Sequence, residues 1–123
     1  MMLLLAVGLA GAVGAPARYL TDAFIEERIQ SVFPWGTFVI NVSGSFLLGV
    51  ITGLALYHGL GSVPKVVVGT GFCGAYTTFS TFSYETVRLL EDGSVLEAAA
   101  NTAASLVVGL AGAALGLILS ALG

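Results

Sequence analysis

Between positions 69 and 85 the chain reads Gly69-Thr70-Gly71-Phe72-Cys73-Gly74-Ala75-Tyr76-Thr77-Thr78-Phe79-Ser80-Thr81-Phe82-Ser83-Tyr84-Glu85. Three glycines are followed by Ser or Thr at 77, 78, 80, 81 and 83. Glycine loosens a helix, and hydroxyl side chains offer the backbone other partners, so this run favours a helix break. Carbonyls freed near Gly74 to Thr77 can bind a small cation, while hydroxyls and backbone N–H groups can donate to an anion. The alternative is a tightly packed helix whose hydroxyls bond back to their own backbone. Phe79 and Phe82 are three apart and share a helical face, with Ser80, Thr81 and Ser83 beside them. Such a pair is either packing or a set of ring edges, which carry partial positive charge and can meet an anion without binding it too tightly.

Other polar residues extend the pattern. Asn41 lies in Gly36-Thr37-Phe38-Val39-Ile40-Asn41-Val42-Ser43-Gly44-Ser45-Phe46; an amide in hydrocarbon needs a partner, so it either glues helices together or lines the same path. Arg18 either snorkels from a span end or gives a vestibule a positive charge. Glu85 has Arg88 three residues on, the spacing of a local ion pair. Asn101 and Ser105 share a face, with Thr102 beside them. Cys73 reads as a small packing residue.

The elements that must position these groups follow from composition. The 123 residues are 57% hydrophobic and 9% charged; a soluble domain carries about a quarter charged residues, so lipid must cover this surface. A net charge of −3 argues against a nucleic-acid partner. One Cys and one His, His58, exclude an intrachain disulfide framework and a zinc cluster. Crossing a core of roughly 30 Å takes about 20 apolar residues, and four stretches qualify, near 2–19, 35–57, 64–90 and 96–122. The expectation is a single all-α membrane domain over 1–123. Phe24, Ile25, Arg28, Ile29 and Val32 fall on one side at helical spacing, which predicts an interfacial helix near 21–33, stopped by Pro34. With four spans, Arg18, Arg28 and Arg88 face Lys65 across the membrane, so the positive-inside bias is weak, and if Arg18 and Arg88 are buried against other spans both orientations are open to the chain. Two such copies can pair antiparallel, as the inverted repeats of larger transporters do within one chain. Many of the 17 glycines lie inside the spans, where small residues let helices approach closely.

On these residues the sequence resembles the CrcB/Fluc fluoride channels, also called fluoride exporters. Gly14-Ala15-Pro16-Ala17-Arg18-Tyr19, the Gly36–Phe46 run and the segment from Gly71 to Glu85 carry the resemblance, which covers essentially the whole chain. It implies four transmembrane helices with the third broken, in an antiparallel, dual-topology homodimer of a multi-pass cell (inner or plasma) membrane protein. It implies two fluoride pores and a structural sodium ion on the two-fold axis, held by backbone carbonyls of Gly74 and Thr77 from each subunit, with no organic cofactor. Phe79 and Phe82 match the pore aromatics, with Asn41 beside them; Ser80 and Thr81 belong to the polar track. Ser105 is the candidate pore hydroxyl of the fourth span. Arg18 and Glu85 match the family's first-span arginine and the acidic residue after its phenylalanines. Ala75-Tyr76 departs from what other members commonly carry.

Fluoride is small and strongly hydrated, so its extraction from water demands closely spaced donors and ring edges in a narrow, dry path. No Walker motif is present, which suits passive flow and no covalent chemistry. A small multidrug-resistance type of exporter needs a membrane-buried carboxylate, and Glu85 lies near a span end. A non-transporting assembly subunit accounts for the glycines but not for the Thr/Ser/Phe run.

Overall fold

A computed structural model describes residues 1–123 and is wholly helical. Helix α1 spans Met2–Arg28, α2 Trp35–Tyr57 and α6 Val95–Leu122. Between α2 and α6 lie α3 (Ser62–Lys65), a π-helical stretch (Val66–Cys73), α4 (Gly74–Tyr76) and α5 (Phe79–Glu91).

The three long helices are each apolar enough to cross a bilayer, and the protein is a multi-pass membrane protein. Only 17 of its 123 residues are buried. The side chains left outside are apolar, Leu9 at 69% and Leu110 at 64% exposed among them, as a lipid-facing or partner-facing surface requires. α1 differs from expectation. Residues 21–28, expected in a separate interfacial helix near 21–33, continue α1 through Pro16 without a break, and 29–34 are not helical. The physical reason is the absence of a stop signal: no Gly or Pro stands between Ala17 and Gln30. At 27 residues, about 40 Å long by the usual rise per residue, α1 outreaches a hydrocarbon core of roughly 30 Å. Pro34 precedes α2, where Phe33, Trp35 and Phe38 cluster with ring centroids 4.8–5.8 Å apart.

α2 and α6 form the most extensive helix pair. A Cβ on Gly116 would run into the backbone oxygen of Phe46, so the approach exists only because that position carries no side chain. The shorter segments pack differently. The π-helical stretch and α4 lie against α1, whereas α5 leans on α6 and only lightly on α2.

Within the region expected near 64–90, helical geometry is not uniform. The wide turn over Val66–Cys73 ends with the Gly74 N–H donating to the carbonyls of Gly69 and Gly71. Such π segments insert extra backbone per turn and recur at functional sites. Thr77 (φ −81°, ψ 162°) and Thr78 (φ −151°, ψ 118°) are extended, and α5 starts at Phe79.

Candidate ion-conducting site

The site is built around those two extended threonines. Thr77 closes the preceding turn twice, its N–H and its hydroxyl both donating to the Cys73 carbonyl at 2.9 and 2.7 Å. Thr78 opens the next helix: its Oγ1 accepts the Thr81 N–H at 3.2 Å and lies 3.1 Å from Thr81 Oγ1 and 3.3 Å from Ser80 Oγ. This is an ordinary N-cap, worth about 1 kcal/mol. The Thr78 backbone itself is satisfied from α2. Its N–H donates to Asn41 Oδ1 at 2.9 Å, and its carbonyl accepts from Asn41 Nδ2 at 3.1 Å.

Next to Asn41, α2 carries the residues that receive this turn. Gly44 faces Thr77 so closely that a Cβ there would meet the threonine methyl. Ser43 Oγ and the Tyr76 hydroxyl share a hydrogen bond of 3.0 Å, and Tyr76 stacks on Phe72 with centroids 5.6 Å apart. A concavity of about 320 Å³ brings Asn41, Gly74, Thr77, Thr78 and Phe79 together with Gly69 and Cys73. Phe79 is 79% exposed, and its ring centroid is 6.0 Å from that of half-buried Phe82. Ser80 is exposed and Thr81 half-buried.

Thr81 and Thr78 also reach a second cavity, of about 290 Å³, which they share with Arg18, Tyr19, Asp22 and Thr37. Arg18 is half-buried there. Its cavity therefore touches the threonines but neither phenylalanine. Glu85 opens elsewhere, into a cavity of about 360 Å³ with Asp22, Glu26, Arg88 and Asp92. The local ion pair that the Glu85–Arg88 spacing allows does not form: Arg88 turns to Asp92 at 3.9 Å, and Glu85 Oε1 is buried without a hydrogen bond. Asp22 borders both cavities, so the positive charge of Arg18 faces an acidic neighbour.

Ser105 lies apart from the concavity. Its hydroxyl donates to Asn101 Oδ1 at 3.3 Å; Asn101, fully buried, donates from Nδ2 to Thr86 Oγ1 at 2.8 Å, and Thr86 donates to the Phe82 carbonyl at 2.8 Å. This chain ties α6 to the turn that bears Phe82. Thr102 is exposed and bonds only to Ala98 O in its own helix. Sequence reasoning missed Thr78, Thr86, Ser43 and the π-helical stretch as structural participants. The hydroxyls were visible but interchangeable by pattern, and Val66-Val67-Val68 has no signal that separates a π turn from an α turn.

Long apolar helices with a polar turn held against them define an integral membrane protein. The chain belongs to the CrcB family: the family model described as "CrcB-like protein, Camphor Resistance (CrcB)" matches residues 5–117. It is similar to a Fluoride-specific ion channel FluC 1 of Frankia casuarinae, 52% identical, with 89% of this chain and 88% of the relative covered. It is also 52% identical to FluC 1 of Streptomyces avermitilis over 89% of each chain, and 42% identical to FluC 2 of Clostridium acetobutylicum over 94% and 96%.

Proposed function

We propose that this protein is a passive, fluoride-selective ion channel, not an enzyme, that exports cytoplasmic fluoride, and that it works as an antiparallel dual-topology dimer with two pores. The observation that carries this reading is the convergence of Asn41, Thr77, Thr78 and the exposed Phe79 on one concavity, in a chain similar to proteins named for fluoride conduction. Fluoride then passes ring edges and hydroxyls instead of fixed cations, which would trap it. In this reading Thr77 and Thr78 form the break of a single third span, whose second half is α5. The exposure of Phe79 on one chain supports a partner copy that covers it.

The reading includes a structural sodium ion between two copies, and the donors on this chain fit one. In a continuous helix the Thr78 N–H would return to the Gly74 carbonyl, but here it goes to Asn41. The Gly74 carbonyl thereby loses that helical partner, Gly74 lines a concavity that holds no carboxylate, and neutral carbonyls suit a hard monovalent cation. Gly74 and Thr77 would hold the ion, two carbonyls from each copy. When bound, it supplies positive charge that draws two unwound turns together across the axis.

The test is fluoride efflux from liposomes loaded with fluoride or chloride, read with ion-specific electrodes. Fast fluoride efflux that requires a potassium ionophore to dissipate the membrane potential, with no chloride efflux, is the expected result. Silence for both ions from folded protein in sodium would overturn it.

A further inference from the structure

Asn41 makes no hydrogen bond to any other side chain; both ends of its amide are committed to the backbone of one residue, Thr78. An amide paired N–H to C=O and C=O to N–H with a backbone unit satisfies two of the groups that a helix break exposes. In a span, where water is scarce, a break without such a partner would be driven to close into continuous helix. Closure here would return the Thr78 N–H to the Gly74 carbonyl, four residues back.

We propose that Asn41 is a positioning residue: it replaces the missing helical turn at Thr78, keeps Thr77–Thr78 extended, and so leaves the Gly74 carbonyl available to a cation. The last step rests on the cation reading given above; the bracing of Thr78 does not. Two neighbours act with it. Gly44 admits the Thr77 methyl, and the Ser43–Tyr76 hydrogen bond holds the other end of the turn, so Asn41, Ser43 and Gly44, all within about one turn of α2, grip residues 76–78. Phe79 follows directly, so the backbone position from which its side chain starts is set by the same contact.

Thr77–Thr78 is the only Thr–Thr pair in the sequence. Protein labelled with ¹³C,¹⁵N-threonine in lipid nanodiscs therefore yields one Thr-carbonyl to Thr-amide correlation, that of Thr78. In the unaltered protein it should carry extended-backbone shifts and exchange slowly. In Asn41→Leu, which removes both partners, exchange should accelerate at least about tenfold, as loss of a buried hydrogen bond dictates, or the shifts should move to helical values. Asn41→Asp keeps the acceptor and should retain slow exchange; it also serves if the leucine variant fails to fold, with Asn41→Ser as the partnerless control. Unchanged Thr78 shifts and exchange in both Asn41→Leu and Asn41→Ser would overturn the bracing role.

The second readout is the thermal melt with sodium or with N-methylglucamine. Sodium should raise the melting temperature of the unaltered protein and of Asn41→Asp but not of Asn41→Ser. An equal sodium shift in Asn41→Ser would sever Asn41 from the cation site. Absence of a sodium shift in the unaltered protein, with the Thr78 signal behaving as expected, would overturn the cation step and leave the brace standing. A protein that conducts no fluoride yet shows both responses would defeat the channel reading alone.

Discussion

The α2–α6 pair and residues 76–91 use opposite means of association. α2 meets α6 through glycine, with Gly116 against the Phe46 backbone, and the pair is held by dispersion along its length. Residues 76–91 are joined to these helices by hydrogen bonds: Asn41 to Thr78, Ser43 to Tyr76, and the Ser105–Asn101–Thr86–Phe82 chain. Close packing gives a rigid wall but no polar groups for an ion. A hydrogen-bonded break supplies polar groups, and its shape depends on a few named side chains. On the proposed reading, scaffold and conduction rest on different chemistries, which substitutions can separate.

The largest effect is expected where the wall is breached. Gly116→Leu puts a branched side chain into the Phe46 backbone and should destabilise the protein by about 3 kcal/mol or more, read as loss of the monodisperse peak in size-exclusion chromatography. Equal elution and melting would show that α2 and α6 are not locked at this point. Next is Asn101→Leu, which leaves Thr86 and Ser105 without their partner; about 1–3 kcal/mol is the usual cost. Its melting temperature should fall and fluoride flux with it, because the turn that bears Phe82 loses its tie to α6. Thr78→Val keeps the branched shape and removes the cap, for about 1 kcal/mol; hydrogen exchange should increase at Phe79 to Thr81 before it increases in α2. The smallest effect belongs to His58→Ala. His58 Nε2 lies 2.6 Å from the Ser120 carbonyl, at an end of the wall remote from the break, so a loss of about 0.5–1 kcal/mol with flux unchanged is expected. A large flux defect there would contradict the separation.

How much of this was legible in the sequence varies by region. The apolar periods located α2 and α6 almost to the residue, since hydrophobicity over 20 residues leaves little freedom. The ends of α1 were not legible, because the amphipathic pattern at 24–32 is the same whether a helix lies along the interface or continues a span. For the polar turn, the Gly/Thr/Ser/Phe run marked the segment in which it lies, and Asn41 stood out as an amide that needs a partner. Its partner was not readable. A side chain that binds backbone 37 residues away leaves no local spacing, and Asn41 was equally consistent with lining a path. The Glu85–Arg88 spacing was misleading, because Asp92 competes for the same arginine from the other side.

The central claim is that ions pass at the aromatic end of the break while stability resides in the wall. The direct test is fluoride efflux from liposomes carrying the Phe79→Ile/Phe82→Ile protein, beside unaltered protein, with melting curves for both. Phe79 is largely exposed on the single chain, so melting should change little while fluoride efflux falls by tenfold or more, about 1.4 kcal/mol in barrier. Undiminished fluoride efflux from a folded double variant would contradict the account.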